Sequence, residues 1–158
     1  MTTVVPVTVT DPTFEQVAAL FDDYRAHYGR APSPTATRAW LQDQLADRRI
    51  SAAAAVRAGR VGGFITALVT PASLMLGSVW SIRDLYVAPE HRRIGIASTL
   101  LEHVVDSARA AGALRVSLQT ETVNTPALRL YTDFGFRPVT GLELLNLPLD
   151  PRRPEATG

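Results

Sequence analysis

Arg92-Arg93-Ile94-Gly95-Ile96-Ala97 joins an apolar run, Leu85-Tyr86-Val87, to a long amphipathic pattern from Ser98 to Ala111. A strand, a tight turn and a helix N-terminus are expected in direct succession. The first turn of a helix carries backbone N–H groups with no intrahelical partner, and the helix dipole adds partial positive charge there. Together they form a site for phosphate or pyrophosphate. Gly95 opens torsions closed to other residues and allows close backbone approach, and Ala97 keeps the next approach uncrowded. Arg92 and Arg93 add charge that can face phosphate. The pattern is neither a P-loop nor a dinucleotide turn, which need a Gly-Lys-Ser/Thr ending or three spaced glycines.

The regular elements can be read outward from this turn. Residues 4–9 read as a strand, with Pro6 marking an edge or irregular position. Asp11-Pro12 reads as a helix start, Asp as N-cap and Pro at the first helical position, and the helix runs to about Tyr28. Phe14, Val17, Leu20 (or Phe21) and Tyr24 recur at helical spacing, and Gly29 fits the stop. Residues 35–47 read as a second helix with Trp40, Leu41 and Leu45 inward. Residues 50–56 and 61–69 read as a hairpin about Ala58-Gly59, 71–77 as a loop and 78–87 as a strand. The third helix spans 95–111, with Ile96, Leu100, Val104 and Ala108 on its buried face, and Gly112 ends it. Residues 116–120 form a strand, 125–134 a helix, and a last hairpin follows Gly135-Phe136 with residues 142–149 as its final strand. Residues 1–150 are expected to form a single domain and 151–158 a frayed tail. The fold class is α/β (α+β): a central mixed, mostly antiparallel twisted sheet of about seven strands flanked by about four helices.

Composition narrows the function classes. The chain has 158 residues, 46% hydrophobic and 20% charged, which marks a globular rather than a disordered chain. The net charge of +1 offers no broad surface for nucleic acid or membrane. No apolar run reaches membrane-spanning length and no signal peptide is evident, so the default setting is cytoplasmic. The absence of cysteine removes disulfides, thiolate metal sites and a covalent cysteine intermediate. All 16 basic residues are arginine, which a GC-rich genome explains, and lysine is thereby excluded as a catalytic group. No histidine–carboxylate grouping has metal-ligand spacing, so no metal is expected.

Within this frame Arg92, Gly95 and Ala97 resemble the pyrophosphate loop of the GNAT acetyltransferase superfamily, written Arg/Gln-x-x-Gly-x-Gly/Ala. Its setting, Ile82-Arg83-Asp84-Leu85-Tyr86-Val87-Ala88-Pro89-Glu90-His91, sharpens the match. A second stretch, Asn124-Thr125-Pro126-Ala127-Leu128-Arg129-Leu130-Tyr131-Thr132-Asp133-Phe134-Gly135-Phe136, resembles the other signature, Asn-x-x-Ala-x-x-Leu-Tyr-x-x-x-Gly-Phe. Asn124, Ala127, Leu130, Tyr131, Gly135 and Phe136 all fit. The resemblance covers nearly the whole chain. Helical spacing places Ala127, Leu130 and Phe134 on a core stripe, and Asn124, Leu128 and Tyr131 on another face.

The resemblance implies transfer of acetyl from acetyl-CoA to an amine in a ternary complex. It assigns coenzyme contacts to Leu85, Tyr86 and Val87 on the fourth strand, to Arg92, Arg93, Ile94, Gly95, Ile96, Ala97 and Ser98 at the loop, and to Asn124 and Tyr131. Tyr86 or Val87 is to donate the backbone N–H that receives the thioester carbonyl, where a bulge splays the strand from its neighbour and opens the acetyl slot. Tyr131 is to protonate the leaving thiolate. His91, just before the loop, is a further candidate for phosphate contact. Asp84 is the acidic candidate to receive the amine proton or bind its cation, since it alternates with Ile82 and Tyr86 on one strand face. Arg83, Arg115 or a backbone amide are its structural partners in the plainer reading. Tyr24 and Tyr28 border the acceptor site, and Glu121 is a second acidic candidate there. The acceptor is expected to be a small primary amine: a polyamine, an amino acid or an amine-bearing antibiotic. A protein or peptide acceptor, or a non-catalytic coenzyme A sensor, are the alternatives. A homodimer through the final strands is also implied by the resemblance.

Overall fold

The computed structural model describes residues 1–149. The elements run β1 (Thr3–Val7), α1 (Phe14–His27), α2 (Pro34–Ala46), β2 (Ser51–Arg57), β3 (Arg60–Ala72), β4 (Gly77–Val87), α3 (Ile96–Ala110), β5 (Arg115–Leu118) and α4 (Thr125–Phe134). The strands form one sheet in the order β1-β2-β3-β4-β5. The first four are antiparallel neighbours, and β5 lies parallel to β4. A parallel neighbour needs a crossover connection, which α3 supplies.

The sheet is buried on both faces. In β2, Ala52 and Ala54 point to one cluster while Ala53 and Ala55 point to the other. Period-2 alternation sorts them, and their small size lets helices pack close on both sides. Phe14, Val17, Phe21 and Leu41 of α1 and α2 meet Phe64 and Tyr86 on the first face. Ile96, Leu100, Leu101 and Val104 of α3 meet Ile65 and Ile82 on the second. The expected buried row of α3 is present, with Leu101 added to it.

Several expectations change at the element ends. Asp11 does not cap α1: its carboxylate accepts the Thr8 N–H at 2.7 Å and shapes a turn, and the helix begins three residues later at Phe14. Trp40 is 47% exposed, touching the core through Phe21 at 5.9 Å between ring centroids, because Leu41 takes the inward position. The expected 71–77 loop is shortened, since β3 continues through Pro71 to Ala72 and only a 3-10 turn at Ser73–Met75 intervenes.

The sheet has five strands among the described residues, against about seven expected. The missing pair is the C-terminal hairpin. Pro138 and Pro148 lack the N–H that a ladder needs, and Gly141 sits at positive φ between them. Leu142, Leu144, Leu145, Leu147 and Leu149 are consequently exposed. The expected tail at 151–158 lies outside the described residues.

α1 and α2 are tied where they flank the cleft described below. Ser33, the N-cap residue of α2, makes no side-chain cap. The buried Asp22 of α1 replaces it, accepting Ser33 N–H at 3.1 Å, Thr37 Oγ1 at 2.6 Å and an Arg25 guanidinium N–H at 3.2 Å. A carboxylate at a helix N-terminus satisfies orphan donors and opposes the dipole favourably. Thr37, Ser33 and Arg25 hold Asp22 below the usual carboxylate range against the upward push of burial.

Candidate active site

β4 carries two irregularities that together open a cleft. The first is a bulge: Thr66 pairs with Asp84 and Ala67 with Ile82, so Arg83 is the extra residue. A bulge shifts the alternation by one. Ile82 therefore packs with α3, whereas Asp84 and Tyr86 turn toward α1. Ile82 does not share a face with Asp84, contrary to the alternation read from sequence.

The second irregularity is the end of the β4–β5 ladder at Ile82 and Leu118. Beyond it β4 runs on to Val87 without a partner on that side. Ala88 donates its N–H to Gly62 O at 2.9 Å, toward β3. Alternation in an antiparallel pair then points the N–H and C=O groups of Tyr86 and Asp84 toward β3 as well. Those of Leu85 and Val87 point away, to the open side. Arg92 Nε closes back on this free edge, donating to Val87 O at 3.0 Å. Of the two amides named from sequence, that of Tyr86 is committed to β3 and that of Val87 is free.

The resulting cleft has a volume of about 480 Å³. Leu85, Tyr86 and Val87 form one wall, Gln119, Thr120 and Glu121 after β5 the other, and Asn124, Ala127, Leu130 and Tyr131 of α4 close one side. Tyr24, His27 and Tyr28 stand at the end of α1. Asn124 caps α4 through its side chain, accepting Ala127 N–H at 3.4 Å. Ala127 and Leu130 line the cleft with Tyr131, so α4 is not split into the core stripe and separate face expected. α4 buries no residue fully, and Leu130, Tyr131 and Phe134 lean on the α3 cluster. Burial, and then the nearby Tyr28, push the Tyr131 phenol up, so it stays protonated at neutral pH.

The cleft's lower end is the loop before α3. Arg93 and Gly95 both take left-handed torsions, at φ 63° and 82°. α3 has no side-chain cap, and its first intrahelical bond runs from Thr99 N to Gly95 O at 3.1 Å. The N–H groups of Ile96, Ala97 and Ser98 thus have no partner within the helix. Apart from its chain neighbours, no protein atom lies within 4 Å of where a Cβ on Gly95 would stand. Arg92 lies over the Tyr86 ring at 5.7 Å as well as on Val87 O, which fixes its direction. Ala97 and Arg92 line the cleft, while the Ile96 side chain is buried against the sheet. The His91 side chain is seated over Gly62.

Asp84 is partly buried and does not line the cleft. Its carboxylate accepts Tyr24 Oη at 3.0 Å and Thr66 Oγ1 at 2.5 Å, and neither Arg83 nor Arg115 pairs with it among the described residues. Tyr24 does line the cleft, so the hydroxyl of Tyr24 is the link between Asp84 and the pocket. Burial, then the Asp84 charge, push the Tyr24 phenol well up. Thr66 was missed in the sequence; its only signal was one polar residue inside Phe64-Ile65-Thr66-Ala67. Arg83 was missed as a lining residue too. Tyr24, Tyr28, His27 and Tyr86 form a closed circuit of ring contacts, with centroids 5.2 to 5.9 Å apart.

Comparison with known proteins agrees with this geometry. The family model of the acetyltransferase (GNAT) family matches residues 15–136. An N-acetyltransferase of Bacillus subtilis (strain 168), YhfO, itself uncharacterised, is 31% identical over 134 residues, covering 84% of this chain and 90% of that protein. A crystal structure of a probable acetyltransferase superposes with a TM-score of 0.87 at 31% identity, covering 94% of this chain and 98% of the other. The streptothricin acetyltransferase of Streptomyces lavendulae is 41% identical over 63 residues, 37% of this chain and 33% of that one. A matched region that contains the splayed strand, the left-handed loop and the capped fourth helix places this chain in the GNAT family of N-acetyltransferases.

Proposed function

We propose that this protein transfers the acetyl group of acetyl-CoA directly to the primary amine of a small molecule, both substrates being bound at once. The observation that carries the reading is the free edge of β4, where the N–H groups of Leu85 and Val87 face the cleft beyond the last β4–β5 pair. An extended amide-bearing arm can pair with such an edge as a strand would. The free N–H groups of Ile96, Ala97 and Ser98, with Arg92 and Arg93 beside them, hold the pyrophosphate. Gly95 leaves room for it. Asn124 lines the same groove, and the exposed Ile94 is to add a contact from the loop.

The amide of Val87 or Leu85 receives the thioester carbonyl oxygen as negative charge grows there. The amine enters from the α1 end, past Tyr24 and Tyr28. Tyr24 donates its proton to Asp84, so its oxygen lone pairs face the cleft and accept an N–H of the incoming ammonium. The proton lost from the amine leaves along this Tyr24–Asp84 line. As the C–N bond forms and the C–S bond breaks, Tyr131 gives its proton to the sulfur. Holding both reactants in one cleft supplies much of the rate. Glu121, on the opposite wall, is a second acidic contact for the acceptor's ammonium.

Initial-rate kinetics with both substrates varied, with the product identified by mass spectrometry, test the reading. Intersecting lines and an N-acetylated amine are expected. Parallel lines would contradict direct transfer. A homodimer is proposed with it, the leucines of 142–149 being apolar surface that a second copy would cover; a monomer in sedimentation at micromolar concentration would remove that part.

A further inference from the structure

Arg83 is the residue that the β3–β4 ladder leaves out. A bulge re-aims its extra side chain, and this one lines the cleft. It is exposed, and it belongs to none of the ion pairs among the described residues. A guanidinium on a strand usually snorkels to solvent or meets a carboxylate, and Asp84 next to it is already taken by Tyr24 and Thr66. Arg83 also stands apart from the phosphate loop. Val87 lies four steps along the extended strand from it, about 13 Å at roughly 3.3 Å per residue. The loop has its own arginines, Arg92 and Arg93. Arg83 thus puts an uncommitted cation at the acceptor end of the cleft, on the strand that also carries Asp84.

We infer that Arg83 reads an acidic group on the acceptor, so that the substrate is a primary amine that also bears a carboxylate or a phosphate, as an α-amino acid does. This rests on the transfer reading above and narrows its substrate class. A zwitterion fits the charges in place. Its ammonium meets the Tyr24 hydroxyl, with Asp84 behind it, among the rings of Tyr28, His27 and Tyr86. Its anion meets the planar fork of Arg83, which suits carboxylate and phosphate geometry bidentately. A plain polyamine would instead bring a second cation near Arg83 and be repelled.

Matched acceptors that differ only in the acidic group test this. Phenylalanine is compared with phenethylamine, ornithine with putrescine, and phosphoethanolamine with ethanolamine. In the wild type, kcat/KM should favour the acidic member of at least one pair by about tenfold or more, the scale of one charge-assisted contact. Preference in the amino-acid pairs alone names a carboxylate, and preference in the last pair alone names a phosphate. In R83Q the ratio should fall to near one through a higher KM for the acidic member, and R83K should restore part of it. The wild-type ratio needs no variant, so the inference stays open to refutation if R83Q fails to fold. Ratios of one or below in every wild-type pair, or a ratio kept in R83Q, would overturn it while leaving acetyl transfer intact. No turnover of any amine by protein that binds acetyl-CoA would overturn the transfer reading and this inference together.

Discussion

Tyr24→Phe and Thr66→Val each delete one hydroxyl that donates to the Asp84 carboxylate, one at 3.0 Å and the other at 2.5 Å. Only Tyr24 also lines the cleft. A hydrogen bond to a charged group contributes about 1.5–3 kcal/mol. Both variants should therefore lose stability, Thr66→Val toward the lower end because its hydroxyl is fully buried and valine removes that desolvation as well. For a chain of this size each kcal/mol lowers Tm by about 2–4 °C, so drops of roughly 3–12 °C are expected in a thermal melt. The two part company in turnover. If the amine proton leaves through Tyr24, its loss removes a proton-transfer group, which typically costs about 100-fold or more. Tyr24→Phe should lose at least that in kcat while KM for acetyl-CoA stays within about twofold. Thr66→Val should lose less than about tenfold, because Asp84 keeps its link to the pocket. Steady-state kinetics beside the melts decide the matter. Equal losses of kcat in two equally destabilised variants would show that Tyr24 only holds Asp84 in place, and the relay would be wrong.

Three further outcomes are expected. Gly63→Ala places a Cβ 2.9 Å from the carbonyl oxygen of Tyr86 and 3.1 Å from Ile96 Cγ2, so β4 must move; about 1–3 kcal/mol of stability and much of the affinity for acetyl-CoA should go, and a variant with an unchanged melt and titration would deny that Gly63 sets the wall. Tyr131→Phe should reduce kcat by about 100-fold with little change in coenzyme affinity, and because burial raises this phenol, wild-type turnover should show no loss from Tyr131 ionisation up to about pH 10. A basic limb below that pH which vanishes in Tyr131→Phe would contradict the assignment. Asp22, held low by Thr37, Ser33 and Arg25, adds stability that is present above its unfolded value near pH 4 and is lost as the pH falls through its lower folded value. The gap between wild type and Asp22→Asn in urea melts should shrink from pH 6 to pH 3, and parallel curves would show that Asp22 makes no such contribution.

The sequence exposed most of what depends on local pattern. The α3 stripe, the left-handed Gly95 and the order of the nine strands and helices through α4 follow from periodicity and turn chemistry, and the structure has them. What it hid depends on register. A bulge in β4 is implied by the resemblance at Leu85 to Val87, but no residue signature sets it at Arg83, and that displacement put Ile82 on the wrong face and left Arg83 out of the cleft. The partners of Asp84 were assigned to nearby arginines because charge can be read from sequence, whereas a hydroxyl 60 positions away on α1 cannot. The final hairpin failed for the opposite reason: alternating leucines gave a strand pattern, and two prolines withheld the N–H groups that pairing needs.

Thiol release from acetyl-CoA, followed with a thiol-reactive dye across polyamines, amino acids, aminoglycosides, arylamines and lysine peptides, bears most directly on acetyl transfer. The chain has no cysteine, so the protein adds no thiol background. Release that depends on a small primary amine and falls about 100-fold in Tyr131→Phe is the expected result. Release from none of these amines, by protein whose melt shifts on adding acetyl-CoA, would contradict the account and leave a coenzyme-binding protein without transferase chemistry.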